Sequence, residues 1–389
     1  MKKVFNLLVS FVLLAGFSAC SKDDSGNQQV PKNPVPSADY KGLAFISSGE
    51  STVRLAQVGA PYEISLEYST DESHWKPYTI GETITLADST FLLFRSGEHK
   101  NRKFSKDDEN YYHFEISGPI SAQGNIMSLL DRDFSTPLST NAFFALFEGC
   151  TSLLSAPELP ATTMAQGCYF RMFAECTGLK SAPELPAEAL AYNCYGWMFK
   201  GCSALTSAPE PPATKMEAYC YNGMFANCTK LTSAPDLHAK RLESNCYNCM
   251  FEGCTSLTSA PELPATYLVR ECYHSMFNGC TSLASAPKLP ATTLEWGCYS
   301  EMFQGCTSLT SAPELPAKEL IRNCYQLMFK DCSKLRYVKA LFTTGPSEET
   351  TKDWLSGVAA SGTFVKSKKA TWDVTGVHGI PEGWKIETW

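Results

Sequence analysis

Apolar residues recur along this chain in two rhythms. Between about 40 and 120 the rhythm is that of strands. Glu63-Ile64-Ser65-Leu66-Glu67-Tyr68 and Thr83-Ile84-Thr85-Leu86 alternate, and Phe91-Leu92-Leu93-Phe94 and His113-Phe114-Glu115-Ile116 add short runs. Alternation of this kind sends one face of an extended segment into a core. Gly42, Gly59, Gly81, Gly97 and Gly118 punctuate the runs at the intervals of a small β-sandwich, immunoglobulin- or fibronectin-like. Tyr68 to Trp75 reads as a hairpin with an aromatic at each end.

From Cys150 the rhythm becomes a fixed period of 26 residues. Cys150, Cys176, Cys202, Cys228, Cys254, Cys280, Cys306 and Cys332 form one series. Cys168, Cys194, Cys220, Cys246, Cys272, Cys298 and Cys324 form a second, with no insertion in either. Leu153 recurs through Leu335, Tyr169 through Tyr325, and Met172-Phe173 through Met328-Phe329. Columns that stay apolar while their neighbours drift are the stacked core of a repeat solenoid. The column Arg171, Trp197, Gly223, Cys249, Ser275, Glu301, Leu327 accepts charge, bulk or nothing, which marks it as outward-facing.

A period of 26 residues suits one turn of a leucine-rich solenoid, whose units run about 20–29 residues. Leu257 and its neighbours are expected to form a short parallel strand ended by Pro261, because proline has no N–H for a ladder. Leu268, Cys272, Tyr273, Met276 and Phe277 are spaced for one or two helical turns on the convex side. The expected organisation is a β-sandwich over 40–120, a degenerate repeat or N-terminal cap over 121–149, a solenoid over 150–340 and a C-terminal cap over 341–389. After Leu335 the period stops, and Trp354, Phe364, Trp372 and Trp384 stand ready to cover the open core.

The first residues concern location. Lys2 and Lys3 precede an apolar run from Val4 to Phe17, then Ser18, Ala19 and Cys20. This is an export signal over 1–19, too short to span a bilayer. The small residues before Cys20 resemble a bacterial lipobox, although Phe17 replaces its usual leucine, so Cys20 is the expected lipidation site. Residues 20–39, with Pro31, Pro34 and Pro36, read as a tether. Ser21-Lys22-Asp23-Asp24 is similar to the acidic export signal of Bacteroidetes surface lipoproteins.

Composition narrows the functions. With 33 basic and 40 acidic side chains the net charge is −7, which leaves no surplus to track nucleic-acid phosphates. The 6 histidines never recur with the period. No nucleophile elbow or phosphate-cradling glycine loop is present. An enzyme is not expected, nor a cofactor or resident metal. In an exported chain disulfides can persist, so Cys168–Cys176 bridges and their equivalents are one option. Two ladders of buried thiols are the other, favoured because Cys150 stands although its partner position is Ala142. The lone Cys246-Tyr247-Asn248-Cys249 lacks the further ligands of a zinc site.

Cys-x-x-Leu-x-x-Ala-Pro-x-Leu-Pro followed by Met-Phe-x-Gly-Cys resembles the BspA-like leucine-rich repeats of bacterial surface antigens over about 146–340. The flanks look like those of gut Bacteroidetes lipoproteins. The resemblance implies an outer-membrane, cell-surface adhesin or protein-binding scaffold whose partner is a host or bacterial surface protein, or a polysaccharide. Glu158, Glu184, Glu210, Asp236, Glu262, Lys288 and Glu314 share one column. Stacking would hold like charges about 5 Å apart, so the column reads as a site for calcium or a basic partner, or as a solvated edge. Arg171 and Trp197 are candidate anchors. The alternative function is glycan capture by the β domain, with Trp75 and Tyr78 as a sugar platform unless they simply close a sandwich edge.

A Cys20→Ala chain is expected to take up no label from radioactive palmitate and to leave the membrane fraction or stay unprocessed. Undiminished label would refute lipidation at Cys20.

Overall fold

A computed structural model describes residues 35–389, so Cys20, the signal segment and most of the tether lie outside the described residues. The alternating segments form strands β1 (Leu43–Ser47), β2 (Ser51–Val58), β3 (Leu66–Ser69), β4 (Lys76–Pro77), β5 (Thr83–Leu86), β6 (Phe91–Ser96), β7 (Tyr111–Ser117) and β8 (Ile120–Gln123). They make two sheets, β4-β3-β6-β1-β8 and β5-β2-β7. Phe45 and Phe94 of the first meet Phe114 of the second at 5.1 and 5.6 Å between ring centroids. β1 lies between β6 and β8, and β2 belongs to the other sheet. The immunoglobulin-type order expected above places first and second strands side by side, so that finer reading is corrected.

The repeats are built from fused turns. Cys168, Phe170, Met172 and Ala174 donate their N–H groups three residues back within the unit, at 3.0–3.2 Å. The residues between them, Tyr169, Arg171, Phe173 and Glu175, donate instead to Cys194, Gly196, Met198 and Lys200 of the next unit. The pattern recurs through Asp331, which donates to Ser356. The helical turns expected over Ala265–Phe277 are therefore absent. The only helices among the described residues are a 3-10 turn, Ile126–Leu129, and α1, Glu348–Thr351. The reason lies in backbone chirality: Gly167, Arg171 and Glu175 have φ of 58°, 56° and 59°, and the same three columns are left-handed in every unit. A left-handed residue every fourth position interrupts an α-helix.

The expected strand at Leu257 shrinks to isolated parallel bridges, Ser233–Ser259, Ser259–Ser285 and Ser311–Tyr337. Leu257 N–H closes a turn on Cys254 O at 3.0 Å. Pro261 follows, which leaves only Thr258-Ser259-Ala260 to extend. Among the complete units only the first keeps a regular strand, β9 (Leu153–Ser155), parallel to β8.

Two aromatic ladders fill the stack. Tyr169 through Tyr325 lie 5.8–6.1 Å apart with planes within 9°. Phe147 through Phe329 lie 5.4–5.8 Å apart. The phenylalanines have only apolar ring edges to satisfy. The hydroxyls of Tyr169, Tyr195, Tyr221, Tyr273 and Tyr299 are buried without a hydrogen-bond partner.

The cysteines from Cys150 to Cys332 are free thiols, and all but Cys249 are buried. The intra-unit disulfides are thus excluded in favour of thiol ladders. The Cys202 thiol donates to Phe173 O at 3.1 Å, and the same bond recurs from Cys176 to Cys332. That carbonyl already accepts the N–H of Cys176, so the thiol of the following unit fills its second lone pair. Burial pushes the Cys168, Cys254 and Cys332 thiols up to about 12, which keeps them protonated donors.

Both ends continue the ladders. Phe114 of β7 stacks on Phe147 at 5.2 Å, and Phe104 on Phe143 at 6.0 Å. Phe114 N–H donates to Leu146 O at 2.7 Å. The β domain is therefore the first rung of the repeats and shares one hydrophobic core with them. At the other end the expected stop after Leu335 is corrected. Asp353 and Gly357 keep the left-handed conformation in phase, with φ of 52° and 75°. β10 (Tyr337–Ala340) pairs in parallel with β11 (Thr363–Lys366), Tyr337 opposite Thr363, and β11 with β12 (Lys385–Thr388). Trp354, fully buried, covers the last tyrosine, Tyr325, at 6.2 Å.

Past the exposed Arg171 the variable column is half-buried or buried rather than freely outward. Gly223 sits at φ +59° under the Trp197 ring, and a Cβ there would lie 2.2 Å from it. Gly196 likewise leaves room for Phe170, whose ring a Cβ would meet at 2.9 Å. Large residues of one unit thus dovetail over glycines of the next.

Two tests follow from this packing. Phe225→Ala should cost about 3–5 kcal/mol in denaturant unfolding. Tyr221→Phe should cost nothing or stabilise by about 1 kcal/mol, because it deletes a buried, unpaired hydroxyl. Equal losses would contradict the description of the ladders. Gly223→Ser should destabilise, and Trp197→Ala in the same chain should recover part of the loss; additive effects would mean the ring and the glycine do not touch.

Candidate functional site

The acidic column follows from the proline that ends each short extended stretch. Pro157 is buried and Glu158 exposed, and Glu184, Glu210, Asp236, Glu262, Lys288 and Glu314 are exposed at the same height of later units. Some local contacts offset the repulsion. Glu210 accepts the Asp236 N–H at 2.8 Å, and Glu314 pairs with Lys339 at 2.8 Å. Between units the prolines wall slots that these charges rim. One slot of about 410 Å³ lies between Pro157, Pro160, Pro183 and Pro186, rimmed by Glu158 and Glu184. Another of about 420 Å³ is rimmed by Lys288 and Glu314. Among the described residues the column acids do not gather into groups of three or more metal-ligand types. The column stands in single file, one charged side chain at each height, a carboxylate everywhere but at Lys288.

The other sequence candidates fall elsewhere. Arg171 is exposed and ion-paired with Glu148. Trp197 is held over Gly223, with Lys200 Nζ 5.6 Å from its ring, and is not a free anchor. Tyr78 is buried, its hydroxyl accepting from Leu55 N–H at 2.8 Å and donating to Glu82 O at 2.5 Å. Burial raises its pKa. Trp75 is covered by the Arg95 guanidinium at 3.7 Å and neighboured by Tyr40 at 5.9 Å. Of the two readings of these rings, the edge-closing one fits their surroundings, where the polar chain supplies partners for the Trp75 N–H and the Tyr78 O–H.

Sequence reasoning passed over one place. A cleft of about 280 Å³ opens where the loop before β7 meets the first two repeats, and Asp108, Phe144, Phe170 and Tyr192 line it. The signal was present in the column Phe144, Phe170, Gly196, Asn222, Asn248, His274, Ser300, Gln326, where aromatics appear only beside the β domain.

Residues 244–344 match the family model for the BspA type leucine rich repeat region, in 6 copies. Searches of the curated proteins and of the solved structures returned no match. The matched segment carries the same left-handed columns, thiol ladder and aromatic rungs as the units before it, so the leucine-rich repeats of this chain are similar to BspA type repeats.

Proposed function

We propose that this chain is a lipid-anchored protein of the outer membrane of a Bacteroidetes cell, displayed on its surface. There it serves as an adhesion or protein-binding scaffold. The observation that carries the reading is the single file of exposed charges beside proline-walled slots. A stacked solenoid repeats one weak contact at every height, and aligned weak contacts add up to useful affinity. The match to BspA type leucine-rich repeats supports a binding role. The anchor rests on Cys20, which follows the apolar run Val4 to Phe17 and the small residues Ser18 and Ala19.

The role is binding. Glycan capture by Trp75 and Tyr78 has less support, because Tyr78 is buried and Arg95 covers one face of the half-buried Trp75. The partner that fits the column is a basic protein segment lying along the stack axis. Opposite charge would steer its approach and set its register.

Reversing Glu184, Asp236 and Glu262 to lysine tests this. Beads carrying the full chain should adhere to immobilised basic surface proteins at low salt. The triple variant should adhere several-fold less, with a flattened salt dependence. Its unfolding midpoint should match the parent's, because all three side chains are exposed. Unchanged adhesion at every ionic strength would sink the proposal.

A further inference from the structure

The cleft at the junction of the β domain and the repeats has a chemistry of its own. Its floor is aromatic. Phe144 and Phe170 stack at 5.6 Å, and the run of rings ends there because the next position is Gly196. Tyr192, 46% exposed, stands beside them. Its rim is polar, with Asp108, Gln166 and Asn193 around the rings. Asn193 Oδ1 is shielded from solvent and accepts no hydrogen bond from the protein.

The walls are fixed before any ligand arrives. Asp107 Oδ1 accepts from Glu109 N–H at 3.2 Å and from the Asn110 side chain at 2.6 Å. Asn110 in turn accepts from Ala60 N–H at 2.7 Å, which pins the loop to the β domain. On the repeat side Gly167 N–H donates to Tyr192 O at 3.0 Å. The cleft is thus shared by two parts of the chain that form a single core.

We propose that this cleft binds a neutral saccharide, one or two sugar rings at a chain end. The apolar face of a pyranose stacks on an aromatic ring, and its hydroxyls both donate and accept. Carboxylate and carboxamide groups answer both needs, whereas an ammonium ion would use only the acceptors. The volume of about 280 Å³ sits at the lower limit for small-ligand pockets, near 300 Å³, which suits one or two rings and not a folded partner. The acidic rim, with Asp107 and Asp108, repels uronic and sialic acids. This site is independent of the charged column and lies at the opposite class of surface, ring faces instead of single charges.

The test titrates the full chain with cellotetraose, xylotetraose, maltotetraose, mannotetraose and laminaritetraose, and with tetragalacturonate and a tetralysine peptide for contrast. At least one neutral tetrasaccharide should bind. Tyr192→Ala should weaken it about tenfold or more, the loss of roughly one stacked ring. Tyr192→Phe should retain most of the affinity, and Tyr267→Ala, on an exposed tyrosine elsewhere, should change nothing. An unchanged unfolding midpoint guards against a folding defect in Tyr192→Ala. Binding of none of the neutral sugars, preference for tetragalacturonate or tetralysine, or binding that survives Tyr192→Ala would each overturn the proposal.

Discussion

Along the fused turns of the repeats, every second backbone donor leaves its own unit. Tyr169, Arg171, Phe173 and Glu175 have no acceptor unless the next unit is folded beside them. A buried amide without a partner costs about 1–3 kcal/mol, so no unit is stable alone. The left-handed columns make this arrangement possible, and the thiol ladder tightens it by giving each phenylalanine carbonyl a second donor from the following unit. The side chains then have one consistent way to fit, and the tyrosine and phenylalanine rings fall into register.

The same dependence explains the ends. A stack with open donors at one face and open carbonyls at the other has to be closed. The β domain closes the first face with Phe104 and Phe114, whose backbones bond to Ala142 and Leu146 as a preceding unit would. Trp354 and the parallel strands β10 to β12 close the second. The β domain and the repeats are parts of one stack more than separate bodies, which is why the cleft of Phe144, Phe170 and Tyr192 can exist at their junction.

The period, the buried leucine, tyrosine and Met-Phe columns, and the exposure of Glu158 and its equivalents were legible because burial writes itself into composition. Backbone handedness was not. Arg171, Trp197 and Ser275 are ordinary residues at positive φ, and only the glycines among them, such as Gly223, gave a hint. A spacing of i, i+4, i+5, i+8 fits both a helix and a run of four-residue turns, so periodicity alone chose wrongly at Cys272 and Phe277. The continuation past Leu335 was hidden because Asp353 and Gly357 preserve backbone geometry while the side chains around them change. Trp75 and Tyr78 looked available because sequence does not show that Arg95 and Leu55 would reach them.

The dovetails carry a consequence for how such a chain can change over generations. Recombination between in-phase copies adds or removes whole units, and most units would tolerate it, since each ladder asks only for another identical rung. Phe170 over Gly196 and Trp197 over Gly223 are different. Each requires a particular neighbour, so a crossover that separates them puts a bulky ring against a Cβ. The core thus leaves copy number open, while a few residues along one edge record the order in which the copies must come.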